Sequence, residues 1–173
     1  MAEQAGIALW FTGPPAAGKS TLAEAVAEQL RQQGHRVQIL DSDALRAVLT
    51  PQPTYEQSER DWFYGAMVYI GQLLTQNGVN VLFAATASRR AYREEARRTI
   101  ERFAEIYVSC SLACLQERDP KGIYAKAAAG TATNVPGIDE PYEPPLHPAV
   151  TVETESQSVT EGAAAVLAFL ATW

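Results

Sequence analysis

Residues 13–21 read Gly-Pro-Pro-Ala-Ala-Gly-Lys-Ser-Thr, and they follow the spacing G-x-x-x-x-G-K-[ST] without a gap. An apolar run over residues 6–12 precedes this stretch and predicts a buried strand. Residues 21–33 follow it with apolar side chains at helical spacing. A strand, a glycine-bounded loop and a helix in this order are the setting of a phosphate-binding loop. The alternative interpretation is a glycine-rich turn before an ordinary helix. Such a turn would not require the complete G-x-x-x-x-G-K-[ST] spacing.

The loop supplies two kinds of contact to phosphate. Its backbone N–H groups and the positive end of the following helix form an anion site. Lys19 adds a positive charge for the β- and γ-phosphates of a nucleotide, and the hydroxyl of Ser20 is placed to bind Mg²⁺. The residues expected to contact nucleotide phosphates are Gly13, Pro14, Pro15, Ala16, Ala17, Gly18, Lys19, Ser20 and Thr21.

Length, composition and charge narrow the class of protein. The chain of 173 residues suits one domain, and no repeat or linker divides residues 1–173. Its 14 Lys and Arg against 20 Asp and Glu give a net charge of −6, which disfavours nucleic acid as a partner. The sequence lacks an apolar run of membrane-spanning length and a signal peptide, so we expect no membrane partner and a cytoplasmic location.

The chain has two cysteines, Cys110 and Cys114. Their C-x₃-C spacing supplies too few ligands for a Cys₄ zinc site, and both histidines, His35 and His147, lie far away in sequence. We therefore expect reduced thiols that serve packing.

Alternating strands and helices predict an α/β fold. Strands are also predicted at 36–40, 79–85, 105–109 and 149–153, and helices at 43–49, 56–77, 89–103, 112–118 and 159–170. This alternation implies right-handed crossovers and a five-stranded parallel sheet with helices on both faces. The proline-rich residues 119–148 predict a long lid loop.

Carboxylates are expected at the carboxyl edge of the sheet, where ligands bind. Asp41 and Asp43 follow the second strand, whereas the third strand ends near Thr86 without an acid. The two aspartates are therefore candidates for metal binding and for accepting the proton of a substrate hydroxyl. The alternative role of Asp43 is to cap the next helix. Arg46, one turn later, either faces the same cleft and binds an anionic acceptor or lies on a solvated helix face.

Basic residues cluster at two further places. Arg118, Lys121 and Lys126 stand at the start of the lid, where closure over a nucleotide would neutralise charge and exclude water. A solvated basic turn is the alternative. The arginines of the helix predicted after the third strand alternate with glutamates, which predicts an exposed, salt-bridged helix. Among them only Arg89 and Arg90, nearest the strand end, are candidates for the site.

With these residues in place, the chain resembles the adenylylsulfate kinase family over nearly its whole length. Residues 40–46, Leu-Asp-Ser-Asp-Ala-Leu-Arg, are similar to the family's L-D-G-D-x-x-R. Residues 118–127, Arg-Asp-Pro-Lys-Gly-Ile-Tyr-Ala-Lys-Ala, are close to its R-D-P-K-G-L-Y-x-K-A, and residues 137–145 are close to its G-I-D-D-P-Y-E-x-P. The last two motifs are much more specific to this family than the phosphate loop, which alone indicates only an NTP-binding superfamily.

The resemblance implies a P-loop NTPase fold and a kinase that transfers the γ-phosphate of ATP to the 3′-hydroxyl of adenylyl sulfate, with Mg²⁺ as cofactor. It implies that Asp43 is the base, that Asp41 orders hydrated Mg²⁺ beside Lys19, and that Arg118 lies near the ATP adenine. The residues implied for the acceptor are Asp43, Arg46, Tyr55, Arg60, Arg90, Lys121 and Val135. The family is often dimeric, which implies a homodimer.

The acceptor half departs from the family pattern. Tyr55 stands where the family usually has a Phe against the acceptor adenine, an exchange that keeps stacking. Where the family carries E-N-I-R-R, residues 61–66 read Asp-Trp-Phe-Tyr-Gly-Ala, so the Asn and Arg that contact the acceptor in the family are absent. Residues 86–90, Thr-Ala-Ser-Arg-Arg, replace I-S-P-Y-R and keep Arg90 in place of its Arg, and Val135 removes a second aromatic clamp. Two other interpretations stay open: a relative that phosphorylates another small nucleotide-like or amidate acceptor, and a nucleotide-binding regulator without catalysis.

Overall fold

A computed structural model of the protein describes residues 5–173. The strands are β1 (Ala8–Thr12), β2 (Val37–Asp41), β3 (Asn80–Ala84), β4 (Phe103–Ser109) and β5 (Val150–Glu153). The helices are α1 (Lys19–Gln32), α2 (Ser42–Leu49), α3 (Gln57–Gln76), α4 (Arg90–Thr99), α5 (Leu112–Arg118), α6 (Ile123–Ala128) and α7 (Val159–Ala171). Within residues 5–173, no helix is both long and apolar enough to cross a membrane.

The sheet has five parallel strands in the order β2-β3-β1-β4-β5. β1 is central, and its Phe11 pairs with Ala84 of β3 and with Ile106 of β4. The predicted α/β fold with a five-stranded parallel sheet is therefore confirmed. Because parallel strands all end at the same edge, the loops that follow them meet there and can share one ligand.

Helices cover both faces of the sheet because side chains along each strand point alternately to opposite sides. Leu9 and Phe11 of β1 belong to a core cluster that includes residues of α1 and α7. Trp10, between them, belongs to a second cluster with residues of α3 and α4. Trp10 is fully buried, stacks on Phe83 and donates its indole N–H to the carbonyl of Ala85. The near-continuous apolar strands of the sequence thus correspond to a sheet buried on both faces.

Two elements differ from the sequence prediction by more than two residues. The helix predicted over residues 89–103 ends at Thr99, because Ile100 adopts extended backbone angles and Phe103 begins β4. Phe103 pairs with Ala8, so strand pairing determines the boundary rather than the helical spacing of apolar residues. The predicted lid, 119–148, contains the two-turn helix α6 near its start.

We predict that Gly71→Ala lowers the free energy of unfolding by about 1–2 kcal/mol. Gly71 lies where α3 touches the sheet, and a Cβ there would stand 2.2 Å from Cζ of the buried Phe83. Overpacking at this contact outweighs the better helix propensity of alanine. Urea unfolding monitored by circular dichroism measures the change.

The matched control is Gly65→Ala on the same helix. Gly65 is exposed and a Cβ there would meet no atom within 4 Å, so this variant should gain about 0.5–1 kcal/mol. Equal effects at the two positions would contradict the close approach of α3 to Phe83.

Candidate functional site

The phosphate-loop residues 13–20 connect β1 to α1, as the sequence predicts. Gly13 approaches β4 so closely that a Cβ would lie 2.2 Å from the carbonyl oxygen of Val108. Gly18 has φ +100°, a left-handed conformation that side chains other than glycine rarely adopt. No side chain caps the start of α1 and its first turn has no acid, so its N–H groups face the loop without a competing carboxylate.

Lys19 is held inside the loop by a contact with the loop's own backbone. Its Nζ donates to the carbonyl oxygen of Pro14 at 2.8 Å. Burial, opposed by the charges of Asp43 and Asp41 and helped by that of Lys121, lowers the pKa of Lys19 to about 8. The amine therefore loses its proton at a pH at which an ordinary lysine is charged.

Asp41 links the loop to the end of β2. Its Oδ2 accepts a 2.6 Å hydrogen bond from Oγ of Ser20, and its Oδ1 accepts the N–H groups of Asp43 and Ala44. Asp41, not Asp43, is thus the N-cap of α2. The carboxylate of Asp43 is exposed and pairs with Nζ of Lys121 across the mouth of the site.

A single cavity of about 750 Å³ extends from the phosphate loop to the lid. The predicted residues that line it are Pro15, Ala16, Ala17, Gly18, Lys19, Ser20, Thr21, Asp43, Arg46, Tyr55, Arg60, Arg118, Lys121, Lys126 and Val135. The predicted residues Gly13, Pro14, Asp41 and Arg90 are absent from its walls. Most of the residues chosen from the sequence therefore share one space of nucleotide size.

At the lid end of the cavity, Arg46 is buried and already paired. Its Nη1 donates to Oε1 of Glu59 at 2.8 Å. The guanidinium carbon stands 4.0 Å from the ring centre of Phe63 and 4.9 Å from that of Tyr55. Glu59 was not among the residues chosen from the sequence. The signal that could have identified it is an acid in the first turn of a helix, beside predicted arginines.

Arg60 fixes the wall between α3 and the lid. Its Nε donates to the carbonyl of Tyr55 at 2.8 Å, and its Nη2 donates to that of Asn134 at 2.5 Å. A third bond reaches Oγ of Ser88 at 3.3 Å. Tyr55 and Asn134 both have positive φ, so the guanidinium holds two turns in an uncommon conformation.

Two arginines of α4 hold the final part of the lid, and the burial of one of them corrects the sequence analysis. Arg90, expected at the acceptor, lies outside the cavity and donates its Nε to the carbonyl of Pro144. Arg93, expected on an exposed helix face, is fully buried. It donates to Oε1 of Glu105 and to the carbonyl of Glu143, both at 2.7 Å. The charge of Arg93 can be buried because Glu105 of β4 supplies a carboxylate that pairs with it.

Arg118 stands at the other end of the cavity. Both of its terminal nitrogens donate to Thr154, one to Oγ1 at 2.8 Å and one to the carbonyl at 2.6 Å. Thr154 in turn donates from Oγ1 to the carbonyl of Ala17 in the phosphate loop at 2.9 Å. Thr154 was missed from the sequence, since a lone threonine after a strand gives no signal of a contact 36 residues away.

Comparisons with known proteins identify the family that the chain resembles in sequence and in structure. A sequence model of the family described as adenylylsulphate kinase matches residues 5–153. The chain is 40% identical to a probable adenylyl-sulfate kinase of Synechocystis sp., over 92% of this chain and 90% of that protein. It is 39% identical to an adenylyl-sulfate kinase of Halothermothrix orenii, over 98% and 92%. A solved structure of Mycobacterium tuberculosis APS kinase with AMPPNP and APS superposes with a TM-score of 0.91 at 32% identity, covering 96% of this chain and 98% of that one.

We predict that ATP binding takes up a proton above pH 8. Lys19, whose pKa is about 8, is about three-quarters neutral at pH 8.5, and only the ammonium pairs with phosphate. Affinity should therefore fall as pH rises through 8. Calorimetry at pH 8.5 in two buffers of different ionisation enthalpy should give about 0.7 proton taken up per ATP.

Lys19→Arg is the control, because arginine stays protonated throughout this pH range. It should bind ATP without taking up a proton. Equal proton uptake by the two proteins would exclude Lys19 as the group that titrates.

Proposed function

The chain belongs to the adenylylsulphate kinase family, and we propose that it transfers the γ-phosphate of ATP to the 3′-hydroxyl of adenylyl sulfate. The product is 3′-phosphoadenylyl sulfate, and the enzyme is a phosphotransferase that acts on an alcohol group. The observation that carries the proposal is one continuous cavity that holds the phosphate loop and, beside it, the exposed carboxylate of Asp43. ATP and a hydroxyl acceptor can meet there in line.

The phosphate loop positions the transferred group. Loop N–H groups and the start of α1 surround the phosphates, and Lys19 adds a positive charge where negative charge develops. Arg118 lines the ATP half, where its bonds to Thr154 hold it against the turn after β5. The guanidinium thus offers a flat cationic surface for the adenine ring.

Asp43 accepts the proton of the attacking hydroxyl in this proposal. Its position in the first turn of α2 is fixed by the capping bonds of Asp41, and its contact with Lys121 orients the carboxylate toward the lid. An anionic acceptor would compete with Asp43 for Lys121. Acceptor binding would then leave the carboxylate free to take the proton.

Mg²⁺ is a proposed cofactor, and the residues present fit it. Oγ of Ser20 and Oδ2 of Asp41 lie 2.6 Å apart at the phosphate loop, and both are the hard oxygen ligands that this ion prefers. Ser20 would bind the ion directly and Asp41 through water. When bound with ATP, Mg²⁺ neutralises charge on the phosphates.

The acceptor half is built from side chains that are ordered in advance. Arg46 and Arg60 are buried and held by Glu59 and by backbone carbonyls, so neither has to be immobilised by the ligand. Tyr55 is 42% exposed and its ring is available to stack on the acceptor adenine. Val135 closes the opposite wall where a larger ring would narrow the space.

The assignment is tested by ADP release from ATP and Mg²⁺ with adenylyl sulfate as acceptor and Lys19→Ala as the blank. We expect saturable turnover, with a product heavier than the acceptor by one phosphoryl group. ADP release with a different nucleotide-like acceptor alone would favour the diverged-acceptor interpretation. ATP binding without turnover on any acceptor would favour a regulator. Homodimer formation stays a prediction, which sedimentation of the purified protein would check.

Asp43→Asn should lower kcat by roughly 10²–10⁴-fold and leave ATP affinity nearly unchanged. Asparagine keeps the shape of the side chain but cannot accept the proton. Asp61→Asn is a matched control, because Asp61 contacts Gln57 and Tyr92 outside the cavity. A kcat of Asp43→Asn within threefold of the parent would remove Asp43 as the base.

Tyr55→Ala should raise the KM for adenylyl sulfate by about tenfold to a hundredfold, the loss expected for one stacking partner of about 1–3 kcal/mol. The KM for ATP should stay within about twofold, because Tyr55 lies at the lid end of the cavity. Tyr55→Phe keeps the ring and should resemble the parent. Equal KM values for all three proteins would exclude stacking at this position.

A further inference from the structure

A cluster of two thiols and one carboxylate lies outside the cavity, at the start of α5. Cys110 follows the end of β4, Cys114 lies in the first turn of α5, and Glu155 follows the end of β5. One ligand atom from each residue lies within 4.8 Å of the other two. Both cysteines are free thiols, as the sequence predicts, and both are partly buried.

The backbone around the cluster holds the three groups together. Ser111 accepts the N–H of Cys114 on its Oγ at 3.3 Å and so caps α5. The N–H of Ser111 donates to Oε2 of Glu155 at 3.2 Å, which ties the turn after β5 to the start of α5. The chain separation of 44 residues between Ser111 and Glu155 shows that folding, not local sequence, brings the carboxylate to the thiols.

We propose that Cys110, Cys114 and Glu155 form a binding site for a soft divalent cation of the Zn²⁺ type. Two thiolate sulfurs and one carboxylate oxygen provide three corners of a tetrahedron, and water completes the fourth. Binding releases the two thiol protons, and no bond other than S–H is broken. The sulfur ligands distinguish this site from the pair formed by Ser20 and Asp41, because that pair offers only oxygen ligands, which suit Mg²⁺.

The site would connect two segments that border the ATP half of the cavity. Arg118 lies one turn after Cys114 on α5, and Thr154, which accepts both of its hydrogen bonds, directly precedes Glu155. A bound cation would therefore cross-link the first turn of α5 to the turn after β5 beside this contact. We expect it to raise the melting temperature of the protein, because only the folded chain brings Glu155 to the two thiols.

Co²⁺ titration of the reduced, metal-free protein tests the proposal, with two free thiols per chain verified beforehand. A thiolate-to-cobalt charge-transfer band that saturates at one Co²⁺ per chain is expected. Zn²⁺ should then displace Co²⁺ and remove the band, because zinc binds such ligands more tightly. A protein that shows no such band at millimolar Co²⁺ would overturn the proposal, whatever its kinase activity.

Substitutions of the three proposed ligands test the role of each side chain in binding the cation. The double variant Cys110→Ser, Cys114→Ser should lose the band, and Glu155→Gln should keep it with roughly tenfold weaker affinity. Glu117→Gln, on the exposed side of the same helix, is the matched control and should resemble the parent. If the double variant fails to fold, Cys114→Ser alone should reduce the band, and an unchanged band in that variant would contradict the assignment.

Discussion

Hydrogen bonds from β1 to β3 on one side and to β4 on the other bring Phe11 level with Ala84 and Ile106. Because of this parallel register, the central strands end at the same edge of the sheet. The phosphate loop can then pass so close to the carbonyl of Val108 that only glycine fits at position 13. The same register brings Asp41, at the end of β2, to the hydroxyl of Ser20. The phosphate site and the carboxylates beside it therefore depend on the pairing of the strands.

Buried guanidinium groups make up the second layer of the site. Arg46, Arg60 and Arg93 each donate to carboxylates or carbonyls of the protein; Arg46 and Arg60 line the cavity, and Arg93 holds the end of the lid. A buried charge is tolerated only when its donors are paired, so the partners are part of the arrangement. Glu59 and Glu105 supply that pairing, and their removal would leave an arginine charge without compensation.

The sequence predicted those features that rest on local patterns. Four residues at fixed spacing identify the phosphate loop, and apolar runs identify the strands. The end of α4 was placed wrongly because Ile100 and Phe103 continue the helical spacing, while pairing of Phe103 with Ala8 determines the boundary. Arg93 and Arg97 look alike in sequence, yet only Arg93 is fully buried, since packing of α4 on β4 decides which side chain is enclosed. The partners Glu59 and Thr154 likewise depend on tertiary contacts that no short motif encodes.

Two of the buried arginines attach the lid at fixed points. Arg60 binds the carbonyl of Asn134 and Arg93 binds that of Glu143, so the segment between them is anchored at both ends by contacts within the protein. Ordering a residue costs about 1–2 kcal/mol of backbone entropy. The anchored segment incurs that cost when the protein folds, not when substrate arrives. Substrate binding energy is then left for holding the reacting groups in place.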